Sequence, residues 1–174
     1  LKHGKLLRAA FARPGGKSLE DWIENCPNAE FAVLTYQGGA AWRARLIEDI
    51  GHKPHVKKLL DSFDDDGLGA LMTNLGGHCI ASLMEAFDSA DDDRPTLFIA
   101  YTVKGYGLPL AGHKDNHSGM MNPAQIEQLR ESLGIEAGQE WEPFAGLGGN
   151  MAARLKDFVD QSVLSKKDKE STPP

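Results

Sequence analysis

Thr96-Leu97-Phe98-Ile99-Ala100-Tyr101-Thr102-Val103, followed at once by Lys104-Gly105-Tyr106-Gly107, is the stretch on which the fold turns. Its first eight residues are uncharged and rich in β-branched and aromatic side chains, the composition of a strand covered on both faces. A lysine set between such a strand and two glycines occupies the carboxyl end of the strand, where open α/β sheets take their ligands. Gly105 and Gly107 let backbone approach a ligand closely, and the Lys104 ammonium offers a point charge to a carboxylate or phosphate. A lysine that merely solvates the end of the strand is the competing reading, and the residues alone leave both open.

Downstream, Ala111-Gly112-His113-Lys114-Asp115-Asn116-His117-Ser118-Gly119 gathers two imidazoles, an ammonium and a carboxylate between glycines. A zinc pair would want both histidines on one helix face. The neighbouring Gly, Asn and Ser indicate a loop, where histidines move protons or bind anions; a polar surface loop is the alternative. Asn122-Pro123-Ala124-Gln125 then starts a helix, with a cap, a proline at the first helical position and an amide three residues after the cap. That helix carries Ile126, Leu129 and Leu133 and stops at Gly134.

Upstream, His78 to Ala90 reads as a helix with Ile80, Leu83, Met84 and Phe87 on one face, ended by Asp91 to Pro95. Helix, buried strand, long loop and helix predict an α/β fold, a parallel sheet flanked by helices. Further helices are expected over Lys5 to Arg13, from a near-capping box at Ser18 and Asp21, over Ala40 to Ile50, from Pro54 to Phe63 and from Gly69 to Asn74. Glu30 to Tyr36 is too short to assign to strand or helix. Ala153 to Leu164 places Leu155, Phe158, Val159 and Val163 on one helical side. From Ser165 the chain reads SKKDKESTPP, a solvated linker or tail.

The 174 residues carry 25 acidic and 19 basic side chains, a net charge of −6 that argues against a dedicated nucleic-acid binder. No apolar run approaches the roughly 20 residues of a membrane span. The amino-terminal LKHGKLLRAAF shows no leader cleavage site, and Cys26 and Cys79 form no CxxC, so a cytoplasmic protein is expected. Leu1 is not a methionine and the sequence opens inside what reads as a helix, which suggests a piece of something longer. Gly16-Lys17-Ser18 lacks the earlier glycine of a phosphate loop, Phe11 standing in that place, and reads as a turn. Ser62, Asp64, Asp66 and Gly67 imitate the opening of a calcium loop, but Thr73 stands where the closing glutamate belongs. His52 and His55 have no thiol or carboxylate cluster near them in sequence and read as a surface pair.

Taken together, Asn74-Leu75-Gly76-Gly77-His78, the helix with Glu85-Ala86-Phe87, Arg94-Pro95-Thr96, the strand, and Thr102-Val103-Lys104-Gly105-Tyr106-Gly107 resemble one family. It is the homodimeric pyruvate dehydrogenase decarboxylase component, a thiamine-diphosphate enzyme of the transketolase superfamily. Asn116-His117 occupies the position of the family's N-H element. Gly4 to Leu7 and Gly38-Gly39-Ala40-Ala41-Trp42-Arg43 are similar to the segment after the family's cofactor motif, and Cys79 replaces its usual aspartate. The resemblance implies the latter half of a transketolase-like diphosphate-binding domain over residues 1–146; beyond it the residues themselves predict a helix over 147–164 and a disordered linker or tail over 165–174.

The resemblance further implies thiamine diphosphate and magnesium as cofactors, oxidative decarboxylation of a 2-oxoacid such as pyruvate, and transfer of the acyl group to a lipoyl-bearing acyltransferase subunit. Lys104 would stabilise negative charge on the substrate carboxylate or intermediate, and His117 would sit on a closing loop that aids proton or acyl transfer. His113, Gly105 and Gly107 would contribute lesser contacts. The GDG and NN signature that holds magnesium is not in this sequence, nor is the activating glutamate. The chain is therefore expected to carry no metal ligand and to be inactive by itself. A non-catalytic interaction module of the same fold, or an unrelated anion-binding α/β domain, are the alternatives.

Overall fold

The computed structural model describes residues 1–91, 93–162 and 165. Among them lie nine α-helices and one 3₁₀ turn. The chain divides into two units, Leu1–Met120 and Met121–Pro174. No helix is long and apolar enough to cross a membrane.

The first unit is a helical body built from α1 (Lys5–Phe11), α2 (Gly16–Asn25), α3 (Asn28–Gln37), α4 (Gly39–Ile50), α5 (Val56–Leu60), α6 (Asp65–Met72) and α7 (Ile80–Asp88), with the 3₁₀ turn Gly76–His78 before α7. In α4, Trp42, Leu46 and Ile50 fall four apart and are all buried, the stripe that a 3.6-residue period lays along one side. Leu7, Leu19, Val56, Leu60, Leu68 and Met72 complete the fully buried centre. Arg43, one residue beyond Trp42, ties α4 to the α5–α6 connection. Its Nε donates to Asp65 Oδ1 at 2.6 Å, Nη1 to the Leu60 carbonyl at 3.0 Å and Nη2 to the Phe63 carbonyl at 2.7 Å. α4 and α6 approach so closely that a Cβ on Gly39 would lie 1.6 Å from the Asp65 carbonyl oxygen.

The helix starts are satisfied in three different ways. Asp64 caps α6, its Oδ1 accepting from the Gly67 N–H at 2.7 Å. That carboxylate and Asp65 thus serve the helix and Arg43. Asp64→Ala is expected to cost about 1 kcal/mol, read as a lower denaturation midpoint. The first turn of α1 is served from across the chain: the Leu6 N–H donates to Asn74 Oδ1 at 3.0 Å and the Lys5 N–H to Cys79 Sγ at 3.4 Å. α2 begins at Gly16, after Gly15 at φ 85°, so Ser18 lies inside the helix and does not cap it.

The expected parallel sheet is a correction. Among the described residues there is no strand ladder, only one isolated antiparallel bridge between His3 and Leu75. Residues 96–103 run extended without strand neighbours. The Tyr101 N–H donates to the Leu1 carbonyl at 3.1 Å, the Leu1 ammonium to the Ile99 carbonyl at 2.7 Å, and the Gly77 N–H to the Tyr101 carbonyl at 2.9 Å. Among the described residues, the backbone groups of Phe98, Ala100 and Thr102 on the other edge have no partner. Leu97 is 84% and Ile99 64% exposed, so the apolar composition that signals a covered strand is uncovered here. Composition describes what a segment would bury; a sheet also needs neighbours to pair with. Residues 30–36, left open between strand and helix, belong to α3.

The second unit holds α8 (Pro123–Ser132) and α9 (Met151–Gln161). α8 opens on a full capping box: Asn122 Oδ1 accepts from the Gln125 N–H at 2.9 Å, and Gln125 Oε1 accepts from the Asn122 N–H at 3.0 Å. Val163, Leu164 and the tail from 166 onward, expected as a helix end and a linker, lie outside the described residues.

Candidate functional site

A cavity of about 630 Å³ opens in the first unit beside α3 and Leu75, where four further pieces of chain meet. They are the amino-terminal Lys2 and His3, the end of α2 with Glu24, residues 101–104 of the extended segment, and the loop from Gly112 to Asn116. Ile23, Phe31, Leu75 and Val103 give it an apolar wall.

Lys104 reaches this cavity because the backbone on both sides of it is held. The Val103 N–H donates to His78 Nε2 at 2.7 Å, and the Lys104 carbonyl accepts from Asn116 Nδ2 and from the Gly112 N–H at 3.4 Å. Gly105 then turns at φ 73°, with the Asn116 carboxamide packed where a Cβ would stand, 2.3 Å from its Nδ2, so any other residue there would be strained and would displace Asn116. Tyr106 stacks on His78 with ring centroids 3.8 Å apart and 12° between planes. Gly107 also has positive φ, at 81°.

The loop comes back over α3. The His113 ring lies against Tyr36, centroids 4.6 Å apart, and its Nδ1 accepts from the Asp115 N–H at 3.1 Å. His113 and Asn116 line the cavity with Lys104. His117 is exposed and is not part of the lining. The structure therefore brings Lys104 and His113 to one cavity and leaves His117, four residues further along the same loop, outside its lining. His52 and His55 are exposed around the start of α5, remote from it in the fold's lining.

Charge within the cavity is lopsided. Lys2, Lys104 and Lys114 contribute ammonium groups, and Glu24 is the one carboxylate among the described lining residues. Glu24 is already committed: it pairs with Lys2 Nζ, and His3 Nε2 lies 2.7 Å from its Oε1. The bond from Lys2, then that from His3, holds its carboxyl below the usual range. Lys114 sits 3.5 Å from Asp115 Oδ1, whereas Lys104 has no ion-pair partner among the described residues. Cys26 lines the cavity too, but burial pushes its thiol up to about 11, which keeps it protonated and unreactive near neutral pH. The arrangement suits a small anion presented to Lys104.

Its donor set does not suit magnesium. Among the described residues no group of three His, Cys, Asp or Glu side chains could hold a metal, and a hard cation needs several oxygen ligands where the cavity offers one paired carboxylate. Lys2, His3 and Glu24 had no signal in sequence, since residues 2 and 24 are joined only by the fold. Asn116 and His78 sat within quoted motifs, but nothing in their spacing says that both would bracket Lys104.

Comparison with known proteins adds lineage. A family model described as the thiamine diphosphate binding domain of transketolase matches residues 61–158. The chain is 28% identical over 108 residues to a pyruvate dehydrogenase E1 component of Cupriavidus necator, covering 61% of this chain and 11% of that protein. It is 29% identical over 114 residues to a pyruvate dehydrogenase E1 component of Corynebacterium glutamicum, covering 64% of this chain and 11% of that one. The chain thus spans about 11% of the length of the curated relatives it matches. No solved structure matches.

Proposed function

Because the chain belongs to the transketolase thiamine diphosphate-binding domain family, we propose that it supplies the anion-holding part of a 2-oxoacid dehydrogenase decarboxylase component acting on pyruvate or a close relative. The observation that carries this reading is Lys104, whose backbone is held on both sides while its ammonium has no ion-pair partner among the described residues, beside a cavity whose other charges are paired. The Lys104 ammonium receives the carboxylate of the 2-oxoacid, and the Gly112–Asn116 loop closes the other side of the cavity. His113 Nδ1 accepts from the Asp115 amide, which leaves Nε2 as the ring atom available to hand over or take a proton. His117, further along the same loop, acts when that loop closes.

Thiamine diphosphate, when bound, supplies the electron sink that decarboxylation needs. The ammonium-rich lining fits an anionic group of that kind, and magnesium ligands are left to residues outside this sequence. Decarboxylation is a property of the longer protein, a homodimer that passes its acyl group to a lipoyl-bearing acyltransferase subunit. By itself the 174-residue chain binds the anion without turning it over.

The test is a titration of the ¹⁵N-labelled chain with pyruvate, and separately with thiamine diphosphate, followed by amide shifts. Pyruvate should move the signals of residues 103–105 and 112–116, and Lys104→Ala should weaken its binding about tenfold, the worth of roughly 1.4 kcal/mol. His113→Ala and His117→Ala should weaken it less. Binding undiminished in Lys104→Ala, or shifts confined to other parts of the chain, removes the reading.

A further inference from the structure

We propose that His78 is the positioning residue of this site: a neutral imidazole with its proton on Nδ1 that grips the Lys104 turn at both ends. The proposal rests on the reading of Lys104 as the anion-holding group and adds the part that sets its geometry.

Two contacts made by one ring carry it. The Val103 N–H points at Nε2 at 2.7 Å, so that nitrogen must be the acceptor and cannot carry a proton. Three residues later, the Tyr106 ring lies almost parallel to the same imidazole, 3.8 Å between centroids. Residues 103 and 106 are the two feet of the turn that presents Lys104 and Gly105, with the Tyr106 N–H donating to the Val103 carbonyl at 3.1 Å to close it. Both feet end on His78.

The platform under the ring is itself tied to the segment it grips. His78 closes the 3₁₀ turn Gly76–His78, and the Gly77 N–H donates to the Tyr101 carbonyl at 2.9 Å, two residues before the Val103 contact. On the far side of the turn, Asn116 holds the Lys104 carbonyl. The lysine backbone is thus held between an imidazole and a carboxamide, and its side chain is the only part left to move. Burial keeps His78 below the ordinary histidine range, which favours the neutral form that the Val103 bond needs.

The two functions of the ring separate by substitution. His78→Phe keeps a flat ring for Tyr106 and removes the acceptor; His78→Gln keeps an acceptor near the position of Nε2 and removes the ring. In the full ¹⁵N-labelled chain, two-bond ring correlations should show His78 as the Nδ1–H tautomer. The Val103 amide should exchange at least tenfold faster in His78→Phe and stay protected in His78→Gln. Pyruvate affinity should fall about tenfold in His78→Phe and recover in part in His78→Gln, with far-ultraviolet circular dichroism unchanged in both. An Nε2–H or charged ring, or a Val103 amide indifferent to His78→Phe, overturns the proposal. The expected tautomer and exchange, with no pyruvate response at Lys104 in the unsubstituted chain, would uphold the grip and refute the anion reading instead. Should His78→Phe lose its helical signal, the tautomer and His78→Gln decide: loss of Val103 protection in His78→Gln with helices intact supports stacking alone and overturns the proposal.

Discussion

Trp42→Ala will cost the protein about 3–5 kcal/mol, the range for removing a large aromatic from a core that only partly collapses. Against a total stability of roughly 5–15 kcal/mol, that is from about a fifth to nearly all of it, and at the lower end of that range it leaves a sizeable unfolded fraction at 37 °C. The reason is position. Trp42 is 0% exposed at the centre of the α4 stripe. Its ring meets Phe31 edge-on at 4.9 Å and Trp22 at 6.0 Å, and the Trp22 indole is in turn fixed by a 2.7 Å bond to Asp49. Urea denaturation followed by circular dichroism gives the number. Trp42→Phe is the informative companion. Trp42 Nε1 is buried with no hydrogen-bond partner among the described residues, so phenylalanine removes an orphaned donor along with some packing. Its cost should stay below about 1.5 kcal/mol. Equal losses for both variants would mean that the indole N–H is satisfied in solution.

Gly39→Ala should do as much damage with one methyl group. The new Cβ would sit 1.6 Å from the Asp65 carbonyl oxygen, with the Asp65 carbonyl carbon at 2.4 Å. Both are backbone atoms, so no rotamer change relieves the clash; α4 and α6 must separate. Separation would also pull Arg43 from Asp65, to which it donates at 2.6 Å. Overpacking costs about 1–3 kcal/mol when side chains can yield, and about 3 kcal/mol or more is expected here, where they cannot. Gly38→Ala makes the control. Nothing lies within 4 Å of its Cβ, although φ is 87°. At φ 87° and ψ −173° it lies in a region essentially reserved for glycine, so it should lose roughly 1–3 kcal/mol from backbone strain alone. A midpoint for Gly39→Ala no lower than that for Gly38→Ala would show that the helices are not in contact there.

Helical spacing was readable in α4, where one helix supplied the whole signal, and unreadable over residues 30–36 of α3, whose apolar residues show no such interval. The four-residue interval of Trp42, Leu46 and Ile50 is visible in the chain and buried in the structure. Asn122, Pro123 and Gln125 announce a cap whose every bond lies within four residues, and all of it forms. Ser18 misled because a serine three residues before an acid resembles a cap, while α2 had already begun after Gly15, three residues earlier. The segment 96–103 misled for a different reason. Its residues favour extension and it is extended, but ladder formation belongs to pairs of segments, and Leu1 and Gly77 supply only a few bonds along one edge. The cavity was legible in halves. Lys104 and the glycine-bounded loop stood out by chemistry, while Lys2, His3 and Glu24 arrive from the far end of the sequence by folding. His78 was visible only as part of a motif, because a hydrogen bond to an amide 25 residues away leaves no local pattern.

Among the described residues, every buried apolar side chain lies at or before Val103, and none beyond Met120 is buried. To a calorimeter the chain is therefore shorter than its 174 residues. Unfolding heat of about 0.7 kcal/mol per residue near 60 °C would amount to roughly 120 kcal/mol for the whole chain but only about 85 for Leu1–Met120. The cooperative melt belongs to the smaller figure, and α8 and α9 contribute a shallow sloping baseline on either side of it.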